Sequence, residues 1–89
     1  MAWNKRKSDR VVLARGLAAN VIGSDGHWHR KCKILDISNG GAKLVVEGSL
    51  DELTLDDFWL IFSIDGKIRR RCALVRKSGG ELGVRFLNL

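Results

Sequence analysis

Two short patterns bring together side chains that could bind a ligand. Arg6 and Arg10 form an RxxxR pair in a basic N-terminal segment, and Asp36, Ser38 and Gly41 fit the pattern [D/N]xSxxG. Arginine donates hydrogen bonds in a planar fork that suits phosphate. A carboxylate accepts hydrogen bonds, and a serine hydroxyl can donate one. These residue types indicate binding of an anion rather than bond-making chemistry.

Each pattern also has a structural interpretation. An arginine pair alone is weak evidence, because basic runs are often just solvated, and Asp, Ser, Asn and Gly are the residues that a hairpin turn favours. The two patterns occur in this order, and each lies on the expected kind of element. Such a combination arises by chance much less often than either pattern alone. Together they favour a binding site.

Patterns that would indicate catalysis or a metal are absent from the sequence. It contains no GxSxG, P-loop or HExxH. His27, His29 and Cys32 form an HxHxxC cluster, but no fourth ligand follows at a usual spacing. Cys32 and Cys72 have no CxxC partner, so we expect two buried thiols in a reducing compartment. We therefore predict a binding domain with no metal, no cofactor and no enzymatic activity.

The positive charge is concentrated in two places. The net charge is +6; Lys5 and Lys7 join the arginine pair at the N-terminus, and Arg69–Arg71 form a second run. Such an excess attracts phosphates, nucleic acids or acidic protein surfaces, although a solvated strand face is the favoured interpretation of Arg69–Arg71. Neither a transmembrane span nor a signal peptide is visible, so we predict a cytoplasmic protein without membrane insertion.

Turn signals divide the rest of the chain into short apolar segments. Asn39-Gly40-Gly41 and similar pairs suit hairpins, because Gly and Asn tolerate positive φ. Alternating β-branched and aromatic runs predict strands over 11–23, 28–37, 42–47, 58–64, 67–77 and 81–88. In the fifth run, Ile68, Cys72 and Leu74 indicate one inward face while Ala73 and Val75 indicate the other, which predicts a bulge in that strand. Six antiparallel strands would best hide their edges by closing into a β-barrel, so we predict an all-β fold.

The predicted organisation is a single domain. Residues 1–10 form a flexible basic leader, and residues 11–89 form the barrel. Between Gly48 and Asp57, three leucines (Leu50, Leu53 and Leu55) lie among acidic residues. This pattern predicts a short helical turn or loop between hairpins.

The leader pair, the DxSxxG hairpin and the closing segment Leu82-Gly83-Val84-Arg85-Phe86 together resemble the PilZ domain family, bacterial receptors for the second messenger cyclic di-GMP. The resemblance covers almost the whole chain and implies a six-stranded antiparallel barrel. The family often ends in a C-terminal helix. Because the chain stops shortly after Phe86, we expect that helix to be absent.

The resemblance also implies roles for the polar residues. Arg6 and Arg10 would wrap around the ligand, and Asp36 would accept the N1–H and N2–H donors of a guanine. Ser38 would donate its hydroxyl to phosphate or base. Gly41 would permit positive φ and let the ligand approach the backbone.

Three further residues are candidates for ligand contacts: Lys5, Trp3 and Gly40. Lys5 precedes the arginine pair, a position thought in the family to influence stoichiometry, and leaves both one ligand and a stacked pair open. Trp3 could stack on an exposed guanine.

The implied function is that of a cyclic di-GMP receptor whose leader orders on binding and signals to an unidentified protein partner. Two alternatives remain open. A small basic barrel could bind single-stranded nucleic acid, but the chain has only three Trp and three Phe and no RNP-type motif. A PilZ-like adaptor could act without ligand, but the intact arginine pair and DxSxxG pattern argue against this.

Overall fold

The computed structural model describes residues 10–50, 55–62 and 67–87. These residues form six strands, and all six runs that the sequence predicts as strands contain one. The strands are β1 (Val11–Gly23), β2 (His29–Ile37), β3 (Gly41–Val46), β4 (Asp57–Ile61), β5 (Arg69–Ser78) and β6 (Glu81–Phe86). The ends differ from the predicted ones by a few residues, and residues 63, 64 and 88 lie outside the described part.

The strands close into an antiparallel barrel in the order β1-β2-β3-β6-β5-β4, and β4 pairs back to β1. Every strand therefore has a hydrogen-bonded neighbour on each side, as expected for a closed barrel. The predicted six-stranded barrel is confirmed. The part of the chain described here contains no helix, and hence none long and apolar enough to cross a bilayer.

The core lies inside the barrel and follows the predicted alternation. In β3, Ala42, Leu44 and Val46 are buried, while Lys43 and Val45 between them are half-buried on the opposite face. The largest fully buried side chains come from all six strands: Val21, Ile34, Leu44, Phe58, Leu60, Cys72 and Leu82. Sheet twist and closure bring these side chains into one apolar cluster, which is the main stabilising contribution in a domain of this size.

The connection between β3 and β4 also contributes to the core. Leu50 and Leu55 are buried against it on either side of residues 51–54, which lie outside the described part. Leu53 and the helical turn or loop predicted there therefore remain a prediction. The described ends of the connection, residues 48–50 and 55–56, are not in a strand.

Both cysteines point into the barrel, as expected for structural thiols. Cys32 is 3% exposed and Cys72 is fully buried, and neither forms a disulfide. Burial raises the pKa of each thiol to about 12, because the thiolate would lose its hydration inside the apolar cluster.

We expect both thiols to react slowly with a thiol reagent in the folded protein. At about pH 8, close to the ordinary pKa of a free thiol, both remain protonated and inaccessible, whereas unfolding in guanidinium exposes them. Release of the chromophore from a disulfide reagent with and without denaturant measures this. Lys77→Cys, on an exposed position of β5, is the control that should react at once. Fast modification of the native wild type would contradict the buried placement.

Candidate functional site

A groove of about 650 Å³ crosses the outer face of β2, β3, β6 and β5. Its lining contains four of the five residues that the sequence predicts as the main site: Arg10, Asp36, Ser38 and Gly41. The others are Ala42, Lys43, Val75, Arg76, Gly83 and Val84. Arg6, with Lys5 and Trp3, lies outside the described residues, so its predicted role stays a prediction. Gly40 adjoins the groove next to Gly41 but is not part of its lining.

The floor of the groove is one row of residues that runs across four strands. Asp36 on β2 is the register partner of Lys43 on β3, Lys43 is the partner of Gly83 on β6, and Gly83 is the partner of Arg76 on β5. Residues in one row of an antiparallel sheet share a face and lie about 5 Å from their neighbours. The barrel therefore sets a carboxylate and two cations side by side on its surface.

A β-bulge places Asp36 in this row. Cys32 and Ile34 on β2 point inward, and strict alternation would send Asp36 into the core as well. The register between β2 and β3 shifts after Ile34, so Leu35 is the extra residue; Asp36 then pairs with Lys43 on the outside. A lone carboxylate inside the barrel would be strongly destabilising, and the bulge avoids this while aiming the side chain at the groove.

A second bulge brings Arg76 to the opposite wall. The register between β5 and β6 shifts between Leu74 and Arg76, which leaves Val75 as the extra residue and 64% exposed. The bulge predicted in the fifth strand is thereby confirmed. Its consequence, that Arg76 lies on the outer face beside Gly83, was not predicted.

Arg10 and Asp36 form an ion pair at one end of the groove. The Arg10 Nη2 donates to Asp36 Oδ2 at 2.8 Å, and the side chains are 54% and 13% exposed, respectively. The carboxylate expected to read a guanine edge is thus paired with one of the arginines expected to hold the ligand. Because Arg10 is half in solvent, such a pair contributes only about 0–1 kcal/mol. A ligand that offers both groups better partners can replace it at small cost.

The Ser38 hydroxyl holds the turn between β2 and β3. Its Oγ accepts the Gly40 N–H at 3.3 Å and donates to the Gly41 carbonyl oxygen at 3.4 Å. The Ser38 N–H also donates to that carbonyl, at 2.8 Å. Serine side chains commonly satisfy turn backbones in this way. In this structure the serine therefore positions the hairpin, and its contact with a ligand stays a prediction.

The reason predicted for Gly41 is wrong in one respect. Within the described residues, φ is positive only at Gly16, Gly26, Gly48 and Gly79, so neither Gly41 nor its neighbours Asn39 and Gly40 uses that conformation. A Cβ at Gly41 would instead collide with the Val84 carbonyl oxygen and lie 3.2 Å from Arg85 Cα. Glycine is required here because the backbones of β3 and β6 approach closely.

Gly83 differs from Gly41 because there is room for a side chain. A Cβ there would lie 3.7 Å from Arg76 Cβ and 3.9 Å from Arg76 Nε, which are ordinary contacts. The missing side chain leaves the middle of the groove open between Lys43 and Arg76.

Lys43, Arg76 and Gly83 are the lining residues that the sequence did not single out. Alternation correctly places Lys43 and Gly83 on the outer face of their strands, but it does not say that β3 and β6 are neighbours. Three cations (Arg10, Lys43 and Arg76) face one carboxylate in the groove, so its lining has an excess of positive charge. This charge favours an anionic ligand.

The Arg69–Arg71 run lies outside this groove. The guanidinium groups of Arg69 and Arg71 stack over the Trp59 ring at 4.8 and 5.4 Å, and Arg70 stacks over Phe86 at 5.4 Å. Arg71 Nε also donates to Asp57 Oδ2 at 3.1 Å. These contacts give the run a packing role on β4 and β5.

The HxHxxC residues are spread over different environments. His27 is exposed beside Asp25, His29 Nε2 lies 3.0 Å from Asn20 Oδ1, and Cys32 is in the core. Residues 10–50, 55–62 and 67–87 contain no group of three or more His, Cys, Asp or Glu placed to hold a metal ion.

Substitution of the two glycines tests the geometry of the groove. Gly41→Ala forces the β3 and β6 backbones apart, and overpacking of this kind costs about 1–3 kcal/mol. The melting temperature should fall by several degrees or more. Gly83→Ala has space for its methyl group and should melt close to wild type. Thermal unfolding followed by circular dichroism compares them, and equal melting temperatures would contradict the close approach at Gly41.

The bond between Arg71 and Asp57 predicts a pH effect. Hydrogen bonding by Arg71 lowers the pKa of Asp57 below its usual 3.8. Because the folded pKa lies below the unfolded one, the pair stabilises the fold above the unfolded pKa, and this contribution is lost as pH falls through the folded value. Carboxyl NMR should show that Arg71→Gln raises the pKa of Asp57. Arg69→Gln is the control, since Arg69 stacks on the same ring, and an equal effect of both variants would exclude the direct bond.

Comparison with known proteins gives one family. A search of curated proteins finds no match. A family model described as the PilZ domain matches residues 4–89, which is essentially the whole sequence, and the barrel topology agrees with it. The chain therefore belongs to the PilZ domain family.

Proposed function

We propose that this chain is a cytoplasmic receptor domain for cyclic di-GMP that transmits the signal to a partner protein. The observation that carries the proposal is the convergence of Arg10, Asp36, Ser38 and Gly41 on one groove, from two patterns far apart in sequence. PilZ domains are a ligand-binding and adaptor family, which is why we propose no catalytic activity for this chain.

The chemistry of the groove suits this ligand. Cyclic di-GMP carries two phosphates and two guanines, and the lining offers cations together with one carboxylate. Asp36 would exchange Arg10 for the N1–H and N2–H donors of a guanine, and the released Arg10 would bind phosphate or the guanine O6 and N7 acceptors. Arg10 and Asp36 would thereby each regain hydrogen bonds in place of those that they lose when their ion pair breaks.

The position of Arg10 also supports a role for Arg6. Four residues of chain span at most about 14 Å, so the chain is long enough for Arg6 to reach the groove that Arg10 lines. Binding would bring both guanidinium groups onto one compact dianion and order the leader against the barrel. An ordered leader presents a different surface to a partner protein, which is a disorder-to-order switch.

The nucleic-acid alternative receives less support from the aromatic side chains. A stacking platform needs several aromatic rings exposed on one face. Phe58 is fully buried, Trp28 packs against it, and Trp59 lies beneath Arg69 and Arg71. An adaptor that has lost its ligand would have no need for the carboxylate and cations that the groove retains.

Isothermal titration with cyclic di-GMP tests the proposal. We expect binding that weakens as salt rises, because the cations are partly exposed. Cyclic di-AMP should bind hardly at all, because it leaves the Asp36 carboxylate without the paired donors of guanine, a cost of about 1–3 kcal/mol per unsatisfied group. GTP and a mixed-sequence oligonucleotide are the controls, at about 150 mM ionic strength. Comparable affinity for cyclic di-AMP, or tighter binding of the oligonucleotide, would reject the proposal.

Arg6→Ala and Arg10→Ala separate binding from folding. Each removes charge-assisted hydrogen bonds worth on the order of 1.5–3 kcal/mol, so affinity should drop at least about tenfold. The free variants should melt close to wild type, as surface substitutions usually do. Ligand should raise the melting temperature of wild type but not of the double variant. A free double variant that melts far below wild type would show that the arginines hold the barrel together.

A further inference from the structure

Two cations of the groove, Lys43 and Arg76, have no described role. Lys43 and Arg76 are both register partners of Gly83, one on each side of it. Because Gly83 has no side chain, nothing on β6 separates the two cations in this row. The barrel thus holds an ammonium and a guanidinium on either side of an open floor.

The Arg76 side chain extends over that floor. Its Cβ and Nε lie 3.7 and 3.9 Å from the point where a Gly83 Cβ would be. A side chain whose Nε lies this close to Gly83 extends over β6. The guanidinium of Arg76 is therefore inside the groove, although the residue belongs to the far wall.

The charges near Asp36 and those near Gly83 differ in how far they are compensated by an opposite charge. Asp36 is neutralised by Arg10 at 2.8 Å. Within residues 10–50, 55–62 and 67–87, neither Lys43 nor Arg76 forms an ion pair with a carboxylate. The positive charge that remains uncompensated in the groove is thus concentrated around Gly83, and an incoming anion is drawn to this position.

We propose that Arg76, together with Lys43, binds a phosphate of the ligand above Gly83, in the part of the groove that lies beyond Lys43 from Asp36. The inference rests on the proposed function and deepens it by adding an anion-binding pair. Two cations of different shape suit a phosphate, which accepts a bidentate arginine and a point-charge lysine together. The Asp36 carboxylate accepts guanine donors and repels phosphate, so the groove orients the ligand with guanine at Asp36 and one phosphate at Arg76.

Arg76→Ala tests the inference, with Lys77→Ala as its matched control. Lys77 is the next residue of β5, is equally exposed and carries the same charge, but it does not line the groove. Titration with cyclic di-GMP should show a loss of about tenfold or more for Arg76→Ala. Lys77→Ala should stay within about twofold of wild type, because a charge outside the site acts only through screened attraction.

Arg76→Lys distinguishes phosphate binding from base reading. Lysine binds phosphate as a point charge, so this variant should stay within about fivefold of wild type. The thermal melting of the free Arg76 variants should match that of wild type, since the side chain is exposed and unpaired within the described residues. A plot of log affinity against log salt should be shallower for Arg76→Ala than for Lys77→Ala, because only the former removes a phosphate contact.

The outcomes separate the two proposals. If wild type does not bind cyclic di-GMP, the proposed function fails and this inference fails with it. If wild type binds while Arg76→Ala and Lys77→Ala behave alike, only the inference is overturned. A loss for Arg76→Lys as large as that for Arg76→Ala would show that the guanidinium fork reads a base edge, and would overturn the phosphate assignment.

Discussion

The pairing of β3 with β6 is the constraint on which both the barrel and the groove depend. These strands are far apart in sequence, and their contact joins the β1-β2-β3 half of the barrel to the β6-β5-β4 half. It is possible at Gly41 only because no Cβ stands between its backbone and the Val84 carbonyl. The same pairing aligns Lys43 with Gly83. The strand contact that closes the core therefore also forms the floor of the groove on the outer surface.

Two bulges then decide which side chains the outer surface carries. An extra residue at Leu35 turns Asp36 outward, and an extra residue at Val75 sets Arg76 in the same row. Each bulge interrupts the ladder of one strand and sacrifices some regular pairing. The interior is still filled, because Ile37 and Leu74 remain paired with the inward-facing Ala42 and Val84. The barrel therefore accommodates a charged surface row without placing a charge in its core.

Much of this fold can be predicted from local sequence, because alternation and turn residues are local properties. They give the six strands, the closed barrel and a bulge in the fifth strand, and the DxSxxG pattern locates Asp36 and Ser38. Strand order is not local, so the meeting of Lys43 with Gly83 and Arg76 could not be predicted. The role of Gly41 was misjudged for a related reason. Turn chemistry suggested a backbone angle, whereas the requirement comes from a strand far away in the sequence.

The ion pair between Arg10 and Asp36 has a consequence for how a nucleotide competes for the groove. Without a ligand, Arg10 and Asp36 already bind each other. The free energy of ligand binding is therefore the difference between the contacts that these side chains form with the ligand and the contact that they lose with each other. A ligand that has hydrogen-bond acceptors but no paired donors would bind Arg10 and leave the Asp36 carboxylate without a partner. Under the proposed function, the protein's own arginine would compete with the ligand for Asp36, and a nucleotide would bind by offering both side chains better partners.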